Sequence, residues 1–259
     1  MIELPPPLWL PPRPAIIRPA DRGLVKASFL PGMFPAGAIA AAAVAPAASI
    51  SYVGSVTDIA NAASYTFGSA PVGAAAAGRK VIVGCLIRGV ATVLTATYAG
   101  SAMTQLGFLD ATNASFAIFA INEAAATTAT IVITGSGSTM TASRIWIWNG
   151  FNCASAPHSV GSQALGAVSG ADFVWTTSLN CPARSVVAGV TSYVDAIVAG
   201  PNTVWSPLTE REDSSIESTI AMASAADTTL AAANPALGIT ARVAIGGGPN
   251  GGGLLAVCL

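Results

Sequence analysis

Proline is concentrated at the start of the chain, and this limits what the first part can fold into. Ten of the seventeen prolines lie within residues 1–46, including Pro5, Pro6 and Pro7. Because proline fixes φ and removes a backbone donor, this stretch is expected to run as extended or polyproline backbone. We therefore predict an extended proline-rich arm over residues 1–46 and a folded domain over residues 47–259.

The arm also carries more large apolar side chains than a flexible linker does. An extended segment with such anchors is suited to lying along another surface, where tryptophan and arginine often contribute most of the binding energy. The alternative is that the arm packs on its own domain. The residues that we predict to bind a partner are Leu8, Trp9, Leu10, Ile16, Ile17 and Arg18.

From about Ile50 onward the sequence changes to short runs with a two-residue period, separated by glycine, serine, asparagine and proline. In residues 143–149, Ile145 and Ile147 point to one side, while Arg144, Trp146 and Trp148 point to the other. This pattern is typical of strands, and about a dozen of them fit two packed antiparallel sheets. We predict an all-β, jelly-roll-like antiparallel β-sandwich. No segment recurs at a fixed period, which disfavours a solenoid or propeller.

Composition limits the classes of partner that the chain is expected to bind. Charged residues make up 9% of the chain, the net charge is −1 and the mean hydropathy is +0.63. We expect no nucleic-acid partner because there is no strong positive field, and no membrane partner because an unbroken apolar stretch of about 20 residues is missing. No secretory signal is expected either. Low charge favours contact with other protein surfaces, so we expect a homo-oligomer.

Few residues are candidates for catalysis. His158 is the one histidine, no G-x-S-x-G turn is present, and the four cysteines lack metal-site spacing. We predict no catalytic residue, no metal and no cofactor, with the cysteines as buried free thiols.

The sharpest polar cluster is the segment from Thr209 to Glu217. Its residues Glu210, Arg211, Glu212 and Asp213 are predicted as an interface or cation-binding loop. One interpretation is a charged strand or turn in which Arg211 pairs with Glu210 or with a neighbouring subunit. Two others remain open: a Ca²⁺ site, because carboxylate oxygens suit that ion, and a glycoside hydrolase that uses two of the carboxylates.

Four segments carry a resemblance to a known group: residues 5–20, 78–84, 98–104 and 203–211. These short segments resemble segments of virion structural proteins of tailed bacteriophages. The resemblance implies an assembly role, as a capsid decoration (cement) protein or a tail component, and it transfers no catalytic residue.

The resulting expectation is a non-catalytic virion protein assembled in the host cytoplasm. It would stabilise the shell by attaching through its arm to the major capsid protein or to other virion proteins, as a homo-oligomer, with a trimer favoured. The alternatives are a tail-fibre or tail-tip protein that binds a host glycan, and a glycan hydrolase that uses Glu210, Glu212 or Asp213.

Overall fold

The part of the chain that the structure describes is built from β-strands. The structure is a computed structural model, and it describes residues 45–89, 91–137, 140–164, 167–169, 172–194, 203–217, 221–244 and 251–259. No helix occurs among these residues, so the predicted all-β class is confirmed. The six arm residues Leu8, Trp9, Leu10, Ile16, Ile17 and Arg18 lie outside the described residues.

The described residues form eighteen strands, nine in an N-terminal half and nine in a C-terminal half. The N-terminal half contains β1 (Ser49–Asp58), β2 (Ser64–Pro71), β3 (Arg79–Arg88), β4 (Ala91–Tyr98), β5 (Ser101–Ala102), β6 (Thr104–Ala111), β7 (Ala114–Asn122), β8 (Thr128–Gly137) and β9 (Ala142–Phe151). The C-terminal half contains β10 (Ser159–Ala164), β11 (Ala167–Ser169), β12 (Asp172–Cys181), β13 (Val186–Val194), β14 (Thr203–Ser206), β15 (Thr209–Glu217), β16 (Ala221–Thr229), β17 (Asn234–Ala244) and β18 (Gly252–Cys258).

These strands form four antiparallel sheets, whereas the sequence indicated two. In the N-terminal half, sheet I has the order β1-β9-β3-β7-β6 and sheet II the order β2-β8-β4-β5. In the C-terminal half, sheet III has the order β10-β18-β13-β16-β15 and sheet IV the order β11-β12-β17-β14. Each half is thus a pair of sheets, consistent with a β-sandwich.

The two halves repeat one pairing scheme. In the N-terminal half the first strand pairs with the last, β2 with β8 and β3 with β7. In the C-terminal half β10 pairs with β18, β12 with β17 and β13 with β16. The scheme recurs although the sequence shows no periodic repeat, because strand pairing depends on which positions are apolar and not on residue identity.

Three hydrophobic clusters separate the four sheets. One lies between sheets I and II, a second between sheets III and IV, and a third between sheets I and III, where the two halves meet. Strand β9 contributes to two of them. Ile145 and Ile147 face sheet II, while Trp146 and Trp148 face sheet III. The predicted two-faced strand is confirmed, and its second face packs against the chain's own C-terminal half.

The outer face of sheet II is uncharged and rich in hydroxyl groups. Strands β2, β4 and β8 contain no charged residue, and their exposed side chains include Thr66, Thr95 and Thr134. The alternation of outward threonine with inward aliphatic residues in β8 is what a sheet with one buried face requires.

Arg79 fixes two loops at one end of the N-terminal half. Its side chain is 1% exposed. The guanidinium donates to the carbonyls of Val72 at 3.1 Å, Gly73 at 3.0 Å, Ala74 at 2.7 Å, Glu123 at 2.8 Å and Ala126 at 2.5 Å. Burying this cation is tolerated because carbonyl oxygens replace the lost water.

Candidate functional site

The four predicted residues Glu210, Arg211, Glu212 and Asp213 lie on β15, an edge strand of sheet III, and not in a loop. The ladder between β15 and β16 shifts between Glu210 and Glu212, which leaves Arg211 as a bulge. Charged side chains and bulges are common on edge strands because they discourage pairing with other chains. The bulge also decides where the carboxylates point. Glu212 faces sheet I, and Asp213 faces the opposite side.

Glu212 lies at the centre of a polar cluster that joins the two halves. One carboxylate oxygen accepts a hydrogen bond from the Tyr52 hydroxyl, and the other accepts from Ser55 at 2.9 Å and from Ser214 at 3.0 Å. The guanidinium of Arg144 lies 3.4 Å away. We call these five residues, Tyr52, Ser55, Arg144, Glu212 and Ser214, the polar seam.

A bulge in β1 brings the N-terminal residues of the polar seam together. Tyr52 pairs with Trp148 and Ser55 with Trp146, and the register shifts between Tyr52 and Gly54. In a regular strand, positions 52 and 55 would point to opposite faces. The extra residue restores them to the same face, towards Glu212.

The surroundings of Glu212 keep it ionised. Burial alone would raise its pKa, but hydrogen bonds from Tyr52 and Ser55, together with the Arg144 charge, lower the pKa below the ordinary glutamate value. Burial and the bond to Glu212 raise the pKa of Tyr52. Tyr52 therefore stays protonated as a donor, and the carboxylate stays charged as an acceptor.

Arg144 is the buried cation of the same cluster. Its side chain is 9% exposed, against 22% for Glu212. Its Nε donates to Thr57 at 2.7 Å, and one Nη donates to the Ser214 hydroxyl. Burial lowers the pKa of Arg144 from its usual high value, and the Glu212 charge opposes this.

A second polar contact crosses the interface at Asp227, which sequence analysis did not identify. Arg211 binds this carboxylate through two bonds of 2.9 and 2.7 Å, instead of pairing with Glu210. The indole Nε1 of Trp148 donates to it at 2.9 Å from the N-terminal half. Asp227 is 1% exposed, and these donors replace the water that burial removes from its carboxylate.

Asp213 and Glu210 lie apart from the interface. Asp213 accepts from the backbone N–H of Thr203 at 2.6 Å and from its hydroxyl at 3.0 Å, which links β15 to β14. Burial raises the pKa of Asp213, and the Thr203 bonds partly offset this. Burial and the Asp213 charge raise the pKa of Glu210.

The opposite edge of the interface is closed without charge. Gly107 of β6 packs directly against β10 and β18. A Cβ atom at this position would lie 3.0 Å from Val160, 3.2 Å from Val257 and 3.3 Å from Leu255. We call these four residues, Gly107, Val160, Leu255 and Val257, the apolar seam.

Comparison with protein-family models, curated proteins and solved structures finds no match to this chain.

The other residues that the sequence offered for chemistry are His158 and the four cysteines. The backbone N–H of His158 donates to the Cys258 carbonyl at 2.8 Å. The four cysteines are free, and Cys85, Cys181 and Cys258 are buried. Within the described ranges, no group of three or more histidine, cysteine or acidic side chains could hold a metal ion. No helix of the described part is long and apolar enough to cross a membrane.

The large aromatic side chains of the described part are turned inward. Trp146, Trp148 and Trp175 are fully buried, and Trp205 is 7% exposed. The large apolar side chains that are exposed are aliphatic: Ile59, Val93, Val160 and Val204. Glycan sites commonly need an exposed aromatic face, and the described surface does not offer one.

Proposed function

We propose that this chain is a non-catalytic structural protein of a bacteriophage particle, a capsid decoration or cement protein that attaches through its N-terminal arm. One observation carries the proposal. The charged side chains predicted as a site are largely used inside the molecule: Glu212 and Arg144 join the two halves, and Arg211 pairs with Asp227, which also accepts from Trp148 of the other half. A rigid body with its charges internally satisfied suits a packing subunit.

The pairing scheme supports the jelly-roll form of the proposed fold. Apart from the short β5 and β11, each half has eight strands in two antiparallel sheets, with the first strand paired to the last. Jelly rolls of eight strands are a common architecture of viral capsid proteins. Since one fold serves many functions, this supports the proposal without deciding it.

The proposed partners are the major capsid protein or other virion proteins, with the chain acting as a homo-oligomer, a trimer being favoured. The uncharged hydroxyl-rich face of sheet II supports close contact because no charge has to be desolvated there. The predicted arm would supply the apolar anchors, with Trp9 and Arg18 contributing most.

Attachment can be tested by deleting residues 1–20. The truncated chain should lose binding to particles that lack the protein, while its circular dichroism spectrum and unfolding midpoint stay unchanged. A point variant, Trp9→Ala, should weaken attachment at least about tenfold, the usual effect of removing a tryptophan hot spot. Full attachment of the truncated chain would refute the role of the arm.

Position in the particle separates the capsid proposal from the tail alternative. Density for the chain in an electron-microscopy map of intact particles is expected on the shell. Density on the tail would replace the cement proposal by a tail-fibre or tail-tip protein, and binding of the chain to host glycans would then be the next measurement.

A glycan hydrolase is the second candidate function, because Glu210 and Asp213 interact electrostatically and both have a raised pKa. Raised carboxylate pKa values are frequent at acid–base sites. Polysaccharide degradation by the wild type that disappears in a Glu210→Gln, Asp213→Asn double variant would establish it. We expect no degradation by either protein.

A further inference from the structure

A small cleft lies at one end of the N-terminal half, beside the only lysine of the described part. It has a volume of about 150 Å³ and is lined by Lys80, Thr104, Ala120, Ile121, Asn122 and Ser155. Lys80 of β3 is directly opposite Asn122 of β7 in the sheet, so both side chains lie on the same face. A wider cleft of about 420 Å³ also has Asn122 in its lining, together with Gly78, Arg79, Glu123 and Ala124.

The ammonium group of Lys80 is buried without a counter-ion. The residue is 7% exposed, and its Nζ donates to the carbonyl of Ala154. The ion pairs of the described residues do not include it. Its neighbour Cys153 supplies no negative charge, because burial raises the pKa of that thiol. Burial lowers the pKa of Lys80, and the charge that Cys153 would carry as a thiolate partly opposes this.

The other polar groups of the cleft have no partner among the described side chains. Thr104, Asn122 and Ser155 make no side-chain hydrogen bond to the described part of the protein. The carboxylate next in sequence to Asn122 is that of Glu123, which follows β7 and accepts from the backbone N–H groups of Ala125 at 2.7 Å and Ala126 at 3.2 Å. The cleft therefore offers free hydrogen-bond donors around a cation. In the polar seam, by contrast, the donors already bind Glu212.

We propose that this cleft binds a carboxylate group, held by Lys80 Nζ with Asn122, Thr104 and Ser155 as further donors. A charge-assisted bond from a desolvated ammonium is stronger than a neutral one. The volume is below the roughly 300 Å³ at which drug-sized sites begin, so it suits one acidic group and not a whole ligand. The wider cleft has room for the rest of a peptide or an acidic sugar. This inference does not depend on the capsid proposal.

Lysine NMR on the full chain tests the proposal, because Lys26 and Lys80 are the only two lysines. With ¹³Cε-labelled lysine, the probes are acetate, N-acetyl-trialanine with a free carboxylate, the same peptide as its C-terminal amide, and glucuronate. The Lys80 resonance should shift saturably with acetate and with at least one other acid. Neither the amide peptide nor the Lys26 resonance should show this response.

Variants separate binding from folding. Asn122 is exposed, so Asn122→Leu should fold normally and weaken acid binding several-fold at the Lys80 resonance. Lys80→Met should weaken binding at least about tenfold, as followed by backbone ¹H–¹⁵N shifts, because it removes the charged donor.

The responses of the Lys80 and Lys26 resonances decide between support and rejection of the site. With acetate also binding, saturation by the free-acid peptide but not by glucuronate supports the site and identifies a protein as the source. Saturation by glucuronate but not by the peptide supports the site and identifies a glycan. The proposal is overturned if no acid gives a saturable shift, if Lys26 responds equally, or if the amide peptide binds as well as the acid.

Discussion

The polar seam and the apolar seam close opposite edges of the interface between the two halves, and they do so by different chemistry. At one edge β1 and β9 meet β15 through Tyr52, Arg144 and Glu212. At the other, β6 meets β10 and β18 through Gly107 and aliphatic side chains. The two halves share a pairing scheme, so the difference arises from the side chains and from the bulges in β1 and β15 that orient them.

The difference shows how one interface can combine a large free energy of association with a fixed alignment of its two sides. Apolar contacts are not directional, so the apolar seam tolerates small shifts of one half against the other. The partly buried Glu212 carboxylate with its four donors does not, because a shift would leave its charge and that of Arg144 uncompensated. We infer that the polar seam fixes the alignment of the halves and that the apolar contacts supply most of the free energy of association.

The largest effect is expected at Trp148, which belongs to both types of contact. Trp148→Ala should lower the free energy of unfolding by about 4 kcal/mol, because a buried ring is lost and a cavity remains. Trp148→Phe should cost about 1–2 kcal/mol, since it mainly removes the donor to Asp227. Urea denaturation gives both values. Equal losses would mean that the hydrogen bond, and not the packing, dominates at this position.

The next largest effect is expected for Glu212→Ala, about 3 kcal/mol, because it leaves the Arg144 guanidinium buried without a carboxylate. Adding Arg144→Met should recover part of this loss, with a coupling of at least about 1 kcal/mol in a double-mutant cycle. The matched apolar control is Val257→Ala, expected to cost about 2 kcal/mol. Strict additivity of the two polar-seam changes would contradict a functioning ion pair.

The smallest expected effect is the pH dependence of the free energy of unfolding, measured for Glu212→Gln and, as a control, for Val257→Ala. The folded-state pKa of Glu212 is lowered. Its charge therefore adds stability above the pKa of the unfolded chain, and this is lost as pH falls through the folded pKa. The stability difference between wild type and Glu212→Gln should be about 1–2 kcal/mol at neutral pH and shrink in acid. The stability difference between wild type and Val257→Ala should stay constant with pH. If both differences shrink in parallel in acid, the pH dependence does not come from the Glu212 charge.

Local patterns allowed part of this structure to be predicted. The alternation in β9 identified a two-faced strand, because the period of a strand is set by its own residues. The number of sheets was not predictable, since it depends on which strands pair across long separations. The same holds for the site: Glu212 was found by composition, but its donor Tyr52 lies 160 residues away. Asp227 carries no local signal, because a single aspartate between alanines and threonines predicts only exposure.

The side chain of Arg79 has a consequence for motion. Two loops that are far apart in sequence share one guanidinium, through the carbonyls of Glu123 and Ala126 on one side and of Val72 to Ala74 on the other. Neither loop can open without breaking bonds held in common with the other. They should therefore behave as one cooperative unit in hydrogen exchange, so that the end of the molecule that carries the Lys80 cleft opens as a whole or not at all.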